Sequence, residues 1–181
     1  MTNINEMFQA SDEAPDTDTL LGPDQLPTGT VVRCNIVYSK ASMRAAKTEQ
    51  DKGPGKTFLN KLEVTEGEFK GQSFFDSLHL SGGKLDGTFT DGQIGYNKRL
   101  FAKLTGAGLT KSFFAANPSD EAIAKALVAA KGDISVKVMW QAPNKDGKVF
   151  LDNTTTWSPI DESGGGGGYV PGGAPVTPKG F

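Results

Sequence analysis

One histidine and one cysteine limit the chemistry open to this chain of 181 residues. His79 has no serine or cysteine nucleophile in a recognisable turn, so the residues give no support for nucleophilic catalysis. His79 and Cys34 together are too few for a zinc site, and a single cysteine forms no disulfide within the chain. We therefore expect a protein that is not an enzyme and holds no metal and no other cofactor.

Neither the carboxylates nor the glycine-containing run of the chain indicates an enzyme or a cofactor site. A metal-dependent nuclease needs converging carboxylates. The candidates are scattered along the chain without metal-ligand spacing, and they are Asp76, Asp86, Asp91 and Asp152. We expect these residues to form turns or to line the rim of a barrel. The run from Gly53 to Thr57 is similar to a phosphate-binding loop. It has Gln50 where that motif requires glycine, and it leads into a strand rather than a helix.

Charge is distributed unevenly behind a net value of −2. Residues 1–27 contain six acidic and no basic residues, residues 28–160 contain 18 basic and 13 acidic residues, and residues 161–181 contain two acidic residues and Lys179. This predicts a disordered acidic arm (1–27), one basic domain (28–160) and a flexible tail rich in glycine and proline (161–181). The terminal Phe181 is a candidate for docking a partner.

Alternating apolar residues predict the elements that position these groups. Strands are expected over 30–39, 57–65, 72–80, 133–141 and 148–157, with helices over 94–104 and from Ser119 to 131–132. In the first strand, Tyr38 is predicted to share the inner face with Val32, Cys34 and Ile36, and a long basic loop is expected over 40–56. The fold class is mainly β with short helices. The order fits a five-stranded, partly open barrel of the oligonucleotide-binding (OB) type with a helical insertion, and it also fits other small α+β barrels.

Basic and aromatic residues gather in the first half of this domain. Seven cations fall in the first two strands and their loop: Arg33, Lys40, Arg44, Lys47, Lys52, Lys56 and Lys61. Phe75 and His79 lie on the more polar face of the third strand, and Tyr38, Lys137 and Trp157 complete the candidate set. Cations for phosphates and aromatic rings for base stacking are what sequence-independent binding of single-stranded nucleic acid requires. We therefore predict that these residues bind single-stranded nucleic acid.

Several blocks of sequence resemble a family of small bacteriophage proteins. The resemblance covers about Leu26 to Ile160 and is most specific in Glu66-Gly67-Glu68-Phe69-Lys70-Gly71 and in Phe75-Asp76. It implies a protein that coats and protects single-stranded DNA during phage replication or recombination. The tail is similar in layout to that of bacterial single-stranded DNA-binding proteins, which implies replication or recombination proteins as its partners. Lys179 stands where those tails carry an acidic cluster.

Two other functions fit the same residues. The chain could be a virion or assembly protein whose barrel packs against other chains, or an RNA-binding module of the cold-shock kind. No stretch approaches the roughly 20 apolar residues of a membrane helix, and the N-terminus lacks the pattern of a secretory signal. We therefore expect no membrane partner and a cytoplasmic location, in the bacterial host if a phage encodes the protein. The acids from Asp12 to Asp24 are expected to compete with DNA for the basic face.

Overall fold

A computed structural model describes residues 20–130 and 133–160 of the chain. The acidic arm up to residue 19, the end predicted for the last helix at 131–132, and the tail 161–181 with Phe181 lie outside the described residues. No helix in the described ranges is long and apolar enough to cross a membrane.

Five antiparallel strands form one sheet in the order β3-β2-β1-β4-β5. The strands are β1 (Val31–Arg44), β2 (Gly55–Val64), β3 (Ser73–Leu80), β4 (Ile134–Lys137) and β5 (Thr156–Pro159). Three helices stand between β3 and β4: α1 (Asp91–Gly106), α2 (Lys111–Ala115) and α3 (Asp120–Ala129). The predicted class, mainly β with a helical insertion, is confirmed.

The first strand is longer than predicted. A β-bulge interrupts the alternation of inner and outer side chains, so the sequence pattern ends before the strand does. Ile36 pairs with Leu62 and Tyr38 pairs with Lys61, so Val37 has no opposite residue on β2. The extra residue reverses the alternation. The predicted inner position of Tyr38 is therefore wrong, and the strand continues to Arg44 instead of giving way to a loop at residue 40. The loop between β1 and β2 spans only 45–54.

The core lies between the concave face of the sheet and the helices. Its largest fully buried side chains are Phe58, Phe74, Leu26, Leu62, Leu78, Leu100, Leu104 and Leu127. Cys34 lies among them, as predicted, and its burial raises the pKa of the thiol. Leu21 and Leu26 also belong to the core, although the charge pattern assigns both to the acidic arm.

A buried polar cluster joins the two outer strands of the sheet. Trp157 Nε1 on β5 donates a hydrogen bond of 3.0 Å to Asp76 Oδ2 on β3, and Lys103 Nζ on α1 lies 2.9 Å from the same oxygen. These contacts curl the sheet into a partly open, OB-like barrel with α1 across the gap. Two predictions are wrong here. Asp76 is a core residue rather than a rim residue, and Trp157 is 3% exposed and therefore unable to stack on DNA.

Local hydrogen bonds explain where the remaining elements begin and end. The Thr90 side chain accepts from the backbone N–H of Gln93 in a capping box, so α1 begins at Asp91, three residues earlier than predicted. Ser119 caps α3 as predicted. Residues Asn144–Gly147 form a turn, and beyond it Asp152 Oδ1 accepts from the backbone N–H and the hydroxyl of Thr154. That turn interrupts the predicted fifth strand, and β5 forms only over Thr156–Pro159, which overlaps the predicted strand at 156–157.

Candidate nucleic-acid interface

Strand register brings two aromatic rings and one cation into a single row on the outer face of the sheet. Lys61 of β2 pairs with Tyr38 of β1 on one side and with Phe75 of β3 on the other. Residues opposite each other on antiparallel strands share a face and have Cα atoms about 4.5–5.5 Å apart. All three side chains are partly exposed. The row therefore presents aromatic, cationic and aromatic groups side by side.

Two further rows continue this face toward the end of β1. Lys40, Leu59 and Ser77 form the next row, in which the Leu59 side chain is a partly exposed apolar group. Thr57 and His79 follow, joined by a 2.9 Å hydrogen bond between Oγ1 and Nδ1. We call the surface made by these three rows and Arg44 the outer face.

His79 contributes to the outer face as a neutral ring. Burial lowers the pKa of its imidazole, the Arg44 guanidinium lowers it further, and Asp76 opposes both effects. The folded state therefore binds a proton less readily than the unfolded state. The contribution of His79 to stability is complete above its unfolded pKa, about 6.5, and decreases as the pH falls through that value toward the folded pKa. At neutral pH, the ring accepts or donates hydrogen bonds rather than supplying charge to a phosphate.

A cavity of about 280 Å³ continues the outer face at the Arg44 end. It is lined by the predicted cations Arg44, Lys47 and Lys52 together with His79 and Tyr96. The two lysines are held at the neck of the β1–β2 loop, where the N–H of Lys47 donates to the carbonyl of Lys52 (2.8 Å) and the N–H of Lys52 donates in return (3.0 Å). The basic loop is thus an ordered wall of the cavity.

Besides the buried Trp157, three predicted site residues do not join this surface. Lys56 Nζ lies 2.7 Å from Asp120 Oδ1 at the start of α3, because Lys56 shares a face with the core residue Phe58 rather than with Thr57. Lys137 pairs with Val31 at the opposite end of β1, about 20 Å along the strand from Tyr38.

Arg33 is the third of these residues. Its guanidinium lies 3.3 Å from Glu66 and 3.8 Å from Asp133. Because both carboxylates already balance its charge, Arg33 has less attraction left for a phosphate.

Two residues of this surface escaped the sequence pattern. Leu59 is an apolar residue on the outer side of β2, where its alternation with the inward Phe58 and Leu62 would have placed it. Tyr96 comes from α1, outside the strands, and reaches the cavity because Asn97 ties α1 to β3's end. The Asn97 side chain accepts from the N–H of Ser81 and donates to its carbonyl, each at 2.9 Å.

The acidic N-terminal region joins the domain beside the outer face. The N–H of Leu21 donates to the carbonyl of Ser73, the first residue of β3, at 2.8 Å. Ser73 is two positions from Phe75 on the same strand and face. Leu20 and Leu21 therefore lie next to the aromatic row.

Neither a metal site in the described residues nor a relative points to another function. In the described ranges, no three histidine, cysteine, aspartate or glutamate side chains are placed so as to hold a metal ion. Comparison of the chain with protein-family models, with curated proteins and with solved structures gave no match in any of the three.

Proposed function

We propose that the protein binds single-stranded DNA across the outer face, largely independently of sequence. The observation that carries this proposal is the row in which Lys61 stands between Tyr38 and Phe75. A ring stacks on any unpaired base, since every base has a π-face, while a lysine between two rings attracts the backbone phosphate that links the bases. The resemblance to the phage family supports a role in coating DNA during phage replication or recombination.

The geometry favours a single strand over a duplex. Tyr38 and Phe75 can stack only on bases whose faces are free. In a duplex, neighbouring base pairs cover those faces. Stacking contributes about 1 to 3 kcal/mol per base, so a duplex loses the contribution of both rings. It retains only the attraction between its phosphates and the basic residues, which is the salt-sensitive part of binding.

Charge around the row supports contact with a phosphate backbone. Five cations line the outer face and its cavity, and they are Lys40, Arg44, Lys47, Lys52 and Lys61. If each neutralises one phosphate, the logarithm of the binding constant for a single strand falls with the logarithm of salt with a slope of about −3.5. A slope near zero would contradict phosphate binding by these residues.

The test is a titration of a fluorescently labelled oligo-dT strand with the full chain, followed by anisotropy at two salt concentrations. A labelled strand is needed because Trp157 is buried and Trp140 Nε1 donates to the carbonyl of Leu26, so neither tryptophan reports contact with DNA. A duplex of equal length is the control. Equal affinity for duplex and single strand at moderate salt overturns the proposal, and no retention of either indicates an assembly protein instead. An RNA strand that competes better than DNA indicates the cold-shock kind of function.

A further inference from the structure

The cavity at the end of the outer face has a rigid floor made by two glycine-containing loops. The N–H of Gly53 donates to the carbonyl of Gly83 at 2.9 Å. A Cβ atom at Gly82 would lie 1.4 Å from the Pro54 carbonyl oxygen, and one at Gly55 would lie 2.5 Å from that of Leu80. Only glycine permits this approach of backbone to backbone. The glycines that make the Gly53–Thr57 run similar to a phosphate-binding loop therefore allow these two loops to pack closely together.

Three cations stand around this floor. Arg44, Lys47 and Lys52 line the cavity, and none of them forms an ion pair with a carboxylate in the described part of the chain. The nearby acid Asp51 is directed away, with Oδ2 3.9 Å from Lys84 Nζ and Oδ1 accepting from the N–H of Leu85. Like charges gathered around one cavity repel each other unless an anion lies between them.

The neutral hydrogen-bond donors and the volume of the cavity indicate which kind of anion fits it. Tyr96, Gln93 and Ser81 add hydroxyl and amide groups to the lining. The volume of about 280 Å³ is below the roughly 300–1,000 Å³ of sites for drug-sized ligands. A compact anion with several acceptor oxygens, such as a phosphate group, therefore fits the charge, the donors and the space.

We propose that this cavity binds one phosphate group of the strand that lies on the outer face. The assignment of this phosphate to a bound DNA strand rests on the function proposed above. The site itself rests on the cavity and its cations. His79 lies four residues from Phe75 on the same face of β3, about 13 Å along the strand. The cavity thus anchors the backbone at a fixed distance from the stacking rings and sets where the strand leaves the sheet.

His79 allows a direct test, because it is the only histidine in the sequence and its imidazole NMR signals need no assignment. The pKa of His79 is measured in the full chain with inorganic phosphate and with chloride at matched ionic strength. A phosphate in the cavity adds negative charge beside the ring, so we expect phosphate to raise this pKa by about one unit more than chloride does. The double variant Arg44→Gln, Lys52→Gln should reduce the rise to the chloride value. Lys70→Gln, at the other end of the β2–β3 hairpin, is the matched control and should keep it.

A second arm uses oligo-dT as the source of phosphate. Oligo-dT should also raise the pKa of His79 in the natural chain and fail to do so in the double variant. Equal effects of phosphate and chloride overturn the phosphate site, even if oligo-dT binds elsewhere on the outer face. A rise with inorganic phosphate but none with oligo-dT overturns the assignment to a strand and leaves a site for free phosphate. Phe75→Ala should weaken oligo-dT binding without changing the response to inorganic phosphate, which separates failure of the cavity from failure of the stacking face.

Discussion

Phe75 provides the sharpest test of the stacking face, because its loss removes a ring without disturbing the core. Phe74, its neighbour, is 1% exposed, whereas Phe75 points outward from a strand at the edge of the sheet. A Phe→Ala change in a core costs about 3 to 5 kcal/mol. For Phe75→Ala we expect a loss of no more than about 1 kcal/mol, the scale of one cross-strand contact with Lys61. The variant should remain folded.

The effect on binding follows from one stacked base. Removing that interaction costs about 1 to 3 kcal/mol, and each 1.4 kcal/mol changes the dissociation constant tenfold. Phe75→Ala should therefore weaken oligo-dT binding by about 5-fold to 150-fold. The salt slope should remain that of the natural chain, since no cation is lost. A weaker affinity with an unchanged slope distinguishes stacking from charge.

Anisotropy of labelled oligo-dT at several salt concentrations measures both quantities, and urea unfolding verifies that the variant is folded. Phe101→Ala is the matched control, because Phe101 is also partly exposed but lies on α1, where it packs edge-to-face against Phe114. It removes the same ring from another surface. Natural affinity in a folded Phe75→Ala, or an equal loss in Phe101→Ala, would refute the assignment of stacking to β3.

Four other outcomes are expected. Lys61→Gln should reduce the magnitude of the salt slope for oligo-dT by about 0.7, as one phosphate contact is lost; an unchanged slope would remove Lys61 from the interface. Gly82→Ala should destabilise the fold by about 1 to 3 kcal/mol in urea unfolding, whereas Gly95→Ala, inside α1 with no atom within 4 Å of the added Cβ, should be neutral or stabilising by up to about 1 kcal/mol. Lys103→Met should cost about 3 to 5 kcal/mol in the same assay, because it leaves a buried carboxylate without its cation; a smaller loss than that of Gly82→Ala would contradict the role of the buried cluster. Deletion of residues 1–19, which removes five acidic and no basic residues, should tighten oligo-dT binding by about threefold or more at low salt and have no effect near 1 M salt.

Much of the fold followed from local patterns. Alternation along a strand decides which side chains are buried, so the pattern correctly predicted Val32, Cys34 and Ile36 on β1 to be in the core. The start of the last helix at Ser119 was also predicted correctly, since a helix cap depends on residues a few positions apart. Local patterns failed at Tyr38, because a bulge is fixed by pairing with β2, and at Asp152, because a side-chain turn there delays the start of β5 to Thr156.

The candidate site divides in the same way. Composition placed the cations of the first two strands together, and Lys40, Arg44 and Lys61 do lie on one face. Periodicity could not separate Lys56 from them, since the side on which it lies depends on where β2 begins. Nor could it show that Trp157 is buried, because the partners of its ring, Asp76 and Lys103, are distant in sequence.

The sequence by itself determined the number of strands and their order along the chain, much of the core, and the basic character of the domain between its acidic and glycine-rich ends. These properties depend on residue type and on spacing within one segment. Only the tertiary structure decided that Tyr38, Lys61 and Phe75 form one row and that three cations surround one cavity. Register between strands, a bulge and the packing of two glycine loops arise from hydrogen bonds and contacts between segments far apart in the chain. A period of two within each strand carries no information about them.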